Sequence, residues 1–361
     1  MTDYGANTPK KVRRSPALVC GLMALSVLAA ALTLASGFMV IGAALITFGA
    51  ALFSLLVLMR APAAYIAVCP VSVALGCVVA ALAGGGIPTY IMLVAFVALG
   101  GVLALCVSKK YAKTATVVAL AACFGAAVIA VLIYLYLSGG NEFSPDAIKA
   151  YIDAKTDELL ALSENITREE LIPMLGKFSV DADALVALVR AAVLSTVYMT
   201  PGLFIAAMQI LGYLCCSWFL LFVKIESCDV IMPAPVWELY PTTVTAVIYI
   251  ISYVVYLFAS LGSSVSVAEI IALNVSVTVA PPMLAVGMVM IFSGGRRRRR
   301  VNMLPVGILA LLFIIQPVMA AVLLSMLGAF SVIARRRLEA KLSKNDDEKN
   351  NDGKNDSDKY F

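Results

Sequence analysis

The chain contains no histidine among its 361 residues. That removes the commonest general base, the commonest transition-metal ligand and any histidine-ligated haem. Charge is scarce as well: Asp, Glu, Lys and Arg make up 14% of the residues, against about a quarter in an average soluble domain. The eight cysteines form no Cys-x-x-Cys pair. Seven of them (Cys20, Cys69, Cys77, Cys106, Cys123, Cys215, Cys216) fall in apolar runs and Cys228 in a short loop, so neither a disulfide framework nor a zinc site is indicated. No P-loop, Gly-x-Ser-x-Gly or paired-carboxylate arrangement occurs. The chain therefore reads as a non-enzyme with no cofactor and no metal.

What is abundant is apolar sequence, 62% of the chain, with no charged side chain between residues 15 and 59. A helix rises about 1.5 Å per residue and the hydrocarbon core is about 30 Å thick, so one crossing needs about 20 residues. That first run is two crossings. Spans are expected at 16–36, 38–59, 62–83, 87–108, 114–138, 191–223, 240–262 and 268–292. The fold class is thus all-α, a polytopic transmembrane bundle of about eight crossings whose first partner is the lipid bilayer. The net charge of +5 is no nucleic-acid footprint, because the basic residues sit at the ends of apolar runs. Lys10, Lys11, Arg13, Arg14, Arg60, Lys109, Lys110, Lys113, Lys224 and Arg296–Arg300 fall on alternate loops. The positive-inside rule then puts the N-terminus in the cytoplasm of a bacterium, with the chain in its plasma membrane. The first apolar stretch is too long for a cleaved signal peptide.

The chain divides into a basic N-terminus (1–15), a five-helix membrane half (16–138), an acidic insert (139–190), a second membrane half (191–334) and a hydrophilic tail (335–361). The tail cannot bury a core and is expected to be disordered. The apolar run 301–334 lies between Arg296–Arg300 and Arg335–Arg337. A single crossing would place one basic cluster on the wrong side. With Pro317 near the centre of the run and Gly328 nearer its end, a hairpin of two short helices is expected. In the insert, Ser144-Pro145 reads as an N-cap followed by the first helical residue. Thr167 with Glu170 resembles a capping box. Ala147, Ile148, Tyr151, Ile152, Leu159 and Leu162 follow a helical stripe, giving an amphipathic helix on the membrane or on the mouth of the bundle. The plain alternative is a solvated connector.

Polar residues inside spans are the functional pointers, because burying one without a partner is costly. Gln209, Asn274, Ser276, Thr278 and Gln316 qualify, with Glu269 near the end of its helix. Gln209, Glu269, Asn274 and Thr278 are the candidate solute pocket; interhelical hydrogen bonding is the plainer role for each. No charged residue lies at a helix midpoint, which disfavours ion coupling within this chain alone. Thr200-Pro201-Gly202 and Pro281-Pro282 interrupt their helices, as happens around transporter binding sites and also in purely structural kinks. Ala31 and Ala35 form a small-xxx-small pair. The loop Lys224–Glu238 carries Pro233, Pro235 and Trp237, with Trp237 and Tyr240 as interfacial anchors. The five arginines could also meet anionic lipid. The Asn-x-Ser/Thr matches at Asn165 and Asn274 carry little weight.

The order of segments carries a family resemblance. Two apolar helices end in Phe53-Ser54-Leu55-Leu56-Val57-Leu58-Met59-Arg60, a third ends at Gly84-Gly85 and a fourth at Lys109-Lys110. Gln209-Ile210-Leu211-Gly212-Tyr213 precedes the Pro233–Trp237 loop, Asn274 sits in a helix leading to the basic cluster, and Leu327-Gly328-Ala329-Phe330 leads to Arg335–Arg337. Over roughly 15–138 and 190–338 this resembles the YybS-like family of bacterial membrane proteins. That family has no established activity. It is compared with the substrate-binding S components of energy-coupling-factor transporters, which draw energy from a transmembrane coupling subunit with ATPases. The resemblance implies a small solute bound from outside, with Ala31 and Ala35 as the face that meets the coupling subunit. Lack of histidine argues against nickel or cobalt as the solute. A non-transporting scaffold or regulatory protein is the alternative; an intramembrane enzyme would need two polar groups within reach of each other in a wet cleft.

Overall fold

The computed structural model describes residues 16–175, 181–226, 241–259, 266–293, 307, 316 and 319–337. The basic N-terminus, Trp237 and Tyr240 with most of their loop, the Arg296–Arg300 cluster, Pro317 and the tail beyond Arg337 lie outside the described residues. So does the first arm of the expected C-terminal hairpin, apart from Gly307 and Gln316.

Among the described residues there is no strand, and the fold is an all-α polytopic bundle. The helices are α1 (Pro16–Ala35), α2 (Met39–Leu58), α3 (Ala63–Leu82), α4 (Ile87–Ser108), α5 (Lys113–Ser138), α6 (Pro145–Ile166), α7 (Ile172–Leu175), α8 (Ala182–Glu226), α9 (Thr243–Ala259) and α10 (Val267–Ser293). The helix α11 (Met319–Arg337) follows. Eight of these (α1–α5, α8, α10 and α11) are long and apolar enough to cross a membrane. The ninth, α9, has 17 residues.

Burial explains why this bundle needs lipid. Only 22% of the apolar window of α3 is buried within the chain, and Val71, Leu75, Val78 and Leu82 form an exposed stripe along it. In water such a surface would drive aggregation; in hydrocarbon it costs nothing.

The chain forms two compact units. The first holds α1–α5, most of α6 and the part of α8 from Ala207 onward. Here α1 packs on α2 and α3, α2 on α4, and α4 on α5, around Met23, Ile46, Leu55, Phe96, Leu99 and Phe124. Phe48 of α2 meets Trp218 and Phe222 of α8 edge-on, with centroids 5.2 and 5.1 Å away. The second unit holds the start of α8 together with α9, α10 and α11. Its core is Ala246 and Tyr249 of α9, Met283 and Val286 of α10, and Ala329 and Val332 of α11.

The first five helices end by one device. A residue in the left-handed region follows each: Gly37 (φ 84), Arg60 (φ 50), Gly84 (φ 79), Lys110 (φ 57) and Gly140 (φ 76). In α1 the N–H of Gly37 donates to Leu34 O and that of Phe38 to Thr33 O, the paired bonds of a Schellman stop. Arg60 with Ala61, Gly84 with Gly85, and Lys110 with Tyr111 repeat the pattern. After α5, Asn141 Nδ2 reaches Tyr136 O at 2.9 Å, so a side chain supplies the second bond.

In the insert, Ser144 Oγ accepts from Ala147 N at 3.2 Å, the N-cap expected of it. Thr167 is not a cap. It lies within a π-type turn, Thr167–Leu171, that continues α6, and its hydroxyl donates to Ser163 O. Nor is Gly328 a break, because α11 runs through it without interruption.

Candidate functional site

The polar centre of the second unit lies at Pro201, where α8 does not break as expected but runs on as one helix, as α10 does through Pro281-Pro282. Pro201 has no N–H to donate, which frees a carbonyl one turn back, and the next residue, Gly202, is buried. Gly202 N–H and Tyr198 C=O are the donor and acceptor of one i to i−4 helix bond. Asn274 of α10 addresses both ends of it. Its Oδ1 accepts from Gly202 N at 2.7 Å, and its Nδ2 donates to Tyr198 O at 2.8 Å. The second amide hydrogen goes to Ile270 O at 2.9 Å, within α10.

The clamp depends on Gly202 having no side chain. A Cβ there would lie 2.8 Å from Asn274 O and 2.9 Å from its Oδ1. Lower on α10, beyond Pro281-Pro282, the helix crosses α11 at two further glycines. A Cβ on Gly287 would strike Leu324 O, and one on Gly328 would strike Met283 O. Close backbone approach of this kind is how small residues join helices in hydrocarbon.

The other candidates are placed as follows. Glu269 stands in the first turn of α10, and its N–H donates to Ser266 Oγ at 3.1 Å. Ser266-x-x-Glu269 thus has the spacing of a capping box, and a carboxylate there complements the helix dipole. At about 100° per residue, Glu269 lies about 140° around α10 from Asn274 and about 180° from Thr278. Thr278 is half-buried one turn beyond Asn274, and Ser276 turns its hydroxyl back onto Leu273 O. Gln209 is half-buried and belongs to the first unit, whereas Glu269, Asn274 and Thr278 belong to the second. Gln316 is exposed. Ala31 is fully buried in α1, and a Cβ on Gly76 of α3 would sit 3.7 Å from it. Ala35 is in similar reach of Gly85, so this small-residue face lies against the chain's own third helix and the turn after it.

Two features escaped the sequence reading. Lys113, assigned to a basic loop, is only 2% exposed at the start of α5. The Asn274–Gly202 pairing joins residues 72 positions apart, and no local pattern announces it. Among the described residues no group of three or more His, Cys, Asp or Glu could hold a metal ion.

A bundle of long apolar helices with lipid-facing flanks and an internally satisfied polar clamp defines a multi-pass membrane protein. Beyond that class, no family model, curated protein or solved structure matches the chain.

Proposed function

We propose that the chain is a solute-binding, transport-related membrane subunit without its own energy source, of the YybS-like kind and comparable to an S component. The observation that carries this reading is the pair of proline-bearing helices, α8 with Pro201 and α10 with Pro281-Pro282, joined through Asn274. A proline inside a span leaves a carbonyl of the preceding turn without its helix donor, and such polar backbone groups are those around which transporter sites are built. In this reading the protein performs no covalent chemistry and sits in a bacterial plasma membrane with its N-terminus in the cytoplasm. A transmembrane coupling subunit with ATPases supplies the energy. Such a subunit would meet the exposed stripe Leu18, Leu22, Leu25 and Leu32 of α1, since Ala31 and Ala35 face α3. The turns support the orientation. Glycine takes the left-handed position at Gly37, Gly84 and Gly140, while Arg60 and Lys110 take it on the two turns assigned to the cytoplasm.

A non-transporting scaffold or regulatory protein is the second reading. It is favoured by Asn274, whose amide oxygen and both amide hydrogens are engaged by helix backbone. The deciding experiment is purification of the tagged protein from native membranes in mild detergent, with mass spectrometry of everything that co-purifies. A coupling subunit with its ATPases, or a stoichiometric small molecule, is the expected result. A clean preparation with neither overturns the transport reading and leaves the scaffold.

A further inference from the structure

The amphipathic helix α6 has no buried residue, yet most of its large apolar side chains lie on one side, with Leu160 the exception. At about 100° per residue, Ile148, Tyr151, Ile152, Leu159 and Leu162 share one arc of roughly 100°, and Asp146, Asp153 and Asp157 lie on the opposite side. Four of the five apolar residues are 40–56% exposed, so nothing among the described residues covers the stripe.

The start of α6 is fixed against the end of a membrane-spanning helix. Tyr136, in the last turn of α5, donates its hydroxyl to Glu142 O at 2.8 Å and accepts Asn141 Nδ2 on its carbonyl at 2.9 Å. Its ring meets Tyr151 of α6 edge-on, with centroids 5.2 Å apart. Phe143 projects from the same turn, 67% exposed. Aromatic residues at the end of a span mark the level of the lipid headgroups, and these contacts hold the first turns of α6 at that level.

We infer that α6 lies flat in the headgroup layer of the leaflet where α5 ends, apolar stripe toward the acyl chains and acidic stripe toward water. Lys155, within the apolar arc, is paired with Glu158 and reaches back to the surface along its own stem. The acidic stripe selects the surface: zwitterionic or uncharged lipid accepts it, whereas an anionic leaflet repels it. The inference does not depend on the solute-binding reading.

The test uses the full chain in nanodiscs, with an environment-sensitive fluorescent amino acid at position 159 or, separately, at 157. Both positions are exposed, so neither change disturbs packing. In phosphatidylcholine discs, brominated acyl chains should quench the probe at 159 at least about two-fold more than at 157, with aqueous iodide showing the reverse order. Equal iodide quenching at both positions would make α6 a solvated connector. A probe at 159 shielded from both quenchers would mean that protein covers the stripe, whether this chain's own bundle, a second copy or a partner. Either outcome overturns the inference. Equal or stronger lipid quenching in phosphatidylglycerol discs would overturn the preference for an uncharged surface.

Discussion

Asn274 concentrates what single residues decide in this protein. Its amide supplies an acceptor to one helix and donors to two carbonyls. Asn274→Ala should cost about 1–2 kcal/mol, at the upper end for interhelical bonds in membranes, because it strands groups beside the in-helix Pro201. Asn274→Asp should cost more than Asn274→Ala, since a carboxylate would face the Tyr198 and Ile270 carbonyls with no hydrogen to donate. Gly202→Ala should be about as damaging as Asn274→Ala, and a double-mutant cycle between the two should be clearly non-additive. Thermal unfolding in detergent reads all four proteins, and additive losses would mean the clamp contributes no coupling. The sequence revealed half of this arrangement. Asn274 stands out as a polar residue in an apolar run and Pro201 as a missing donor, although α8 runs through it where a break was expected. Their partnership did not, because it depends on the register between two helices, which neither helix encodes alone. Glu269 was legible as an acidic residue near a helix end, whereas its cap by Ser266 shows only once the start of α10 is placed.

Among whole elements the apolar runs were legible almost to the residue, because hydrocarbon thickness leaves a helix little choice of length. There are two exceptions. The helix α8 is expected from residue 191 and found from Ala182, because Asp183 and Arg190 end the apolar run without ending the helix; α9, expected as a crossing at 240–262, is described only over Thr243–Ala259 and is shorter than the eight candidate spans. Helix stops were less legible, since a left-handed Arg60 or Lys110 lacks the glycine that normally announces one. A non-glycine residue there is strained by roughly 1 kcal/mol. Arg60→Gly should therefore raise the unfolding temperature slightly in detergent while weakening the charge signal for orientation; an unchanged or lower temperature would show that the turn is not strained. The α10–α11 crossing gives a sharper test. Gly328→Ala should lose about 2 kcal/mol through overpacking. Gly101→Ala, on α4 with open space around it, should be neutral or gain up to about 1 kcal/mol from helix propensity. Equal effects would deny the close crossing. Gly328 is ambiguous in sequence, because glycine serves both at helix ends and at close crossings, and only the neighbouring backbone tells them apart.

For the molecule as a whole, the orientation proposed from charge can be checked with truncation fusions. Green fluorescent protein joined after Lys110 should fluoresce, and alkaline phosphatase joined after Gly140 should be active. The reversed pair of signals would turn the bundle over. The alternation of charge was legible because it is local to each loop; the division into two units was not, because it is set by contacts between helices far apart in sequence.

The clamp on α8 has a mechanical consequence. Pro201 removes one rung of the helix ladder, and Asn274 spans the neighbouring rung from Tyr198 to Gly202. Bending the helix at that turn would have to pull the Tyr198 carbonyl and the Gly202 N–H apart, so the amide of Asn274 acts as a splint where proline weakens the helix.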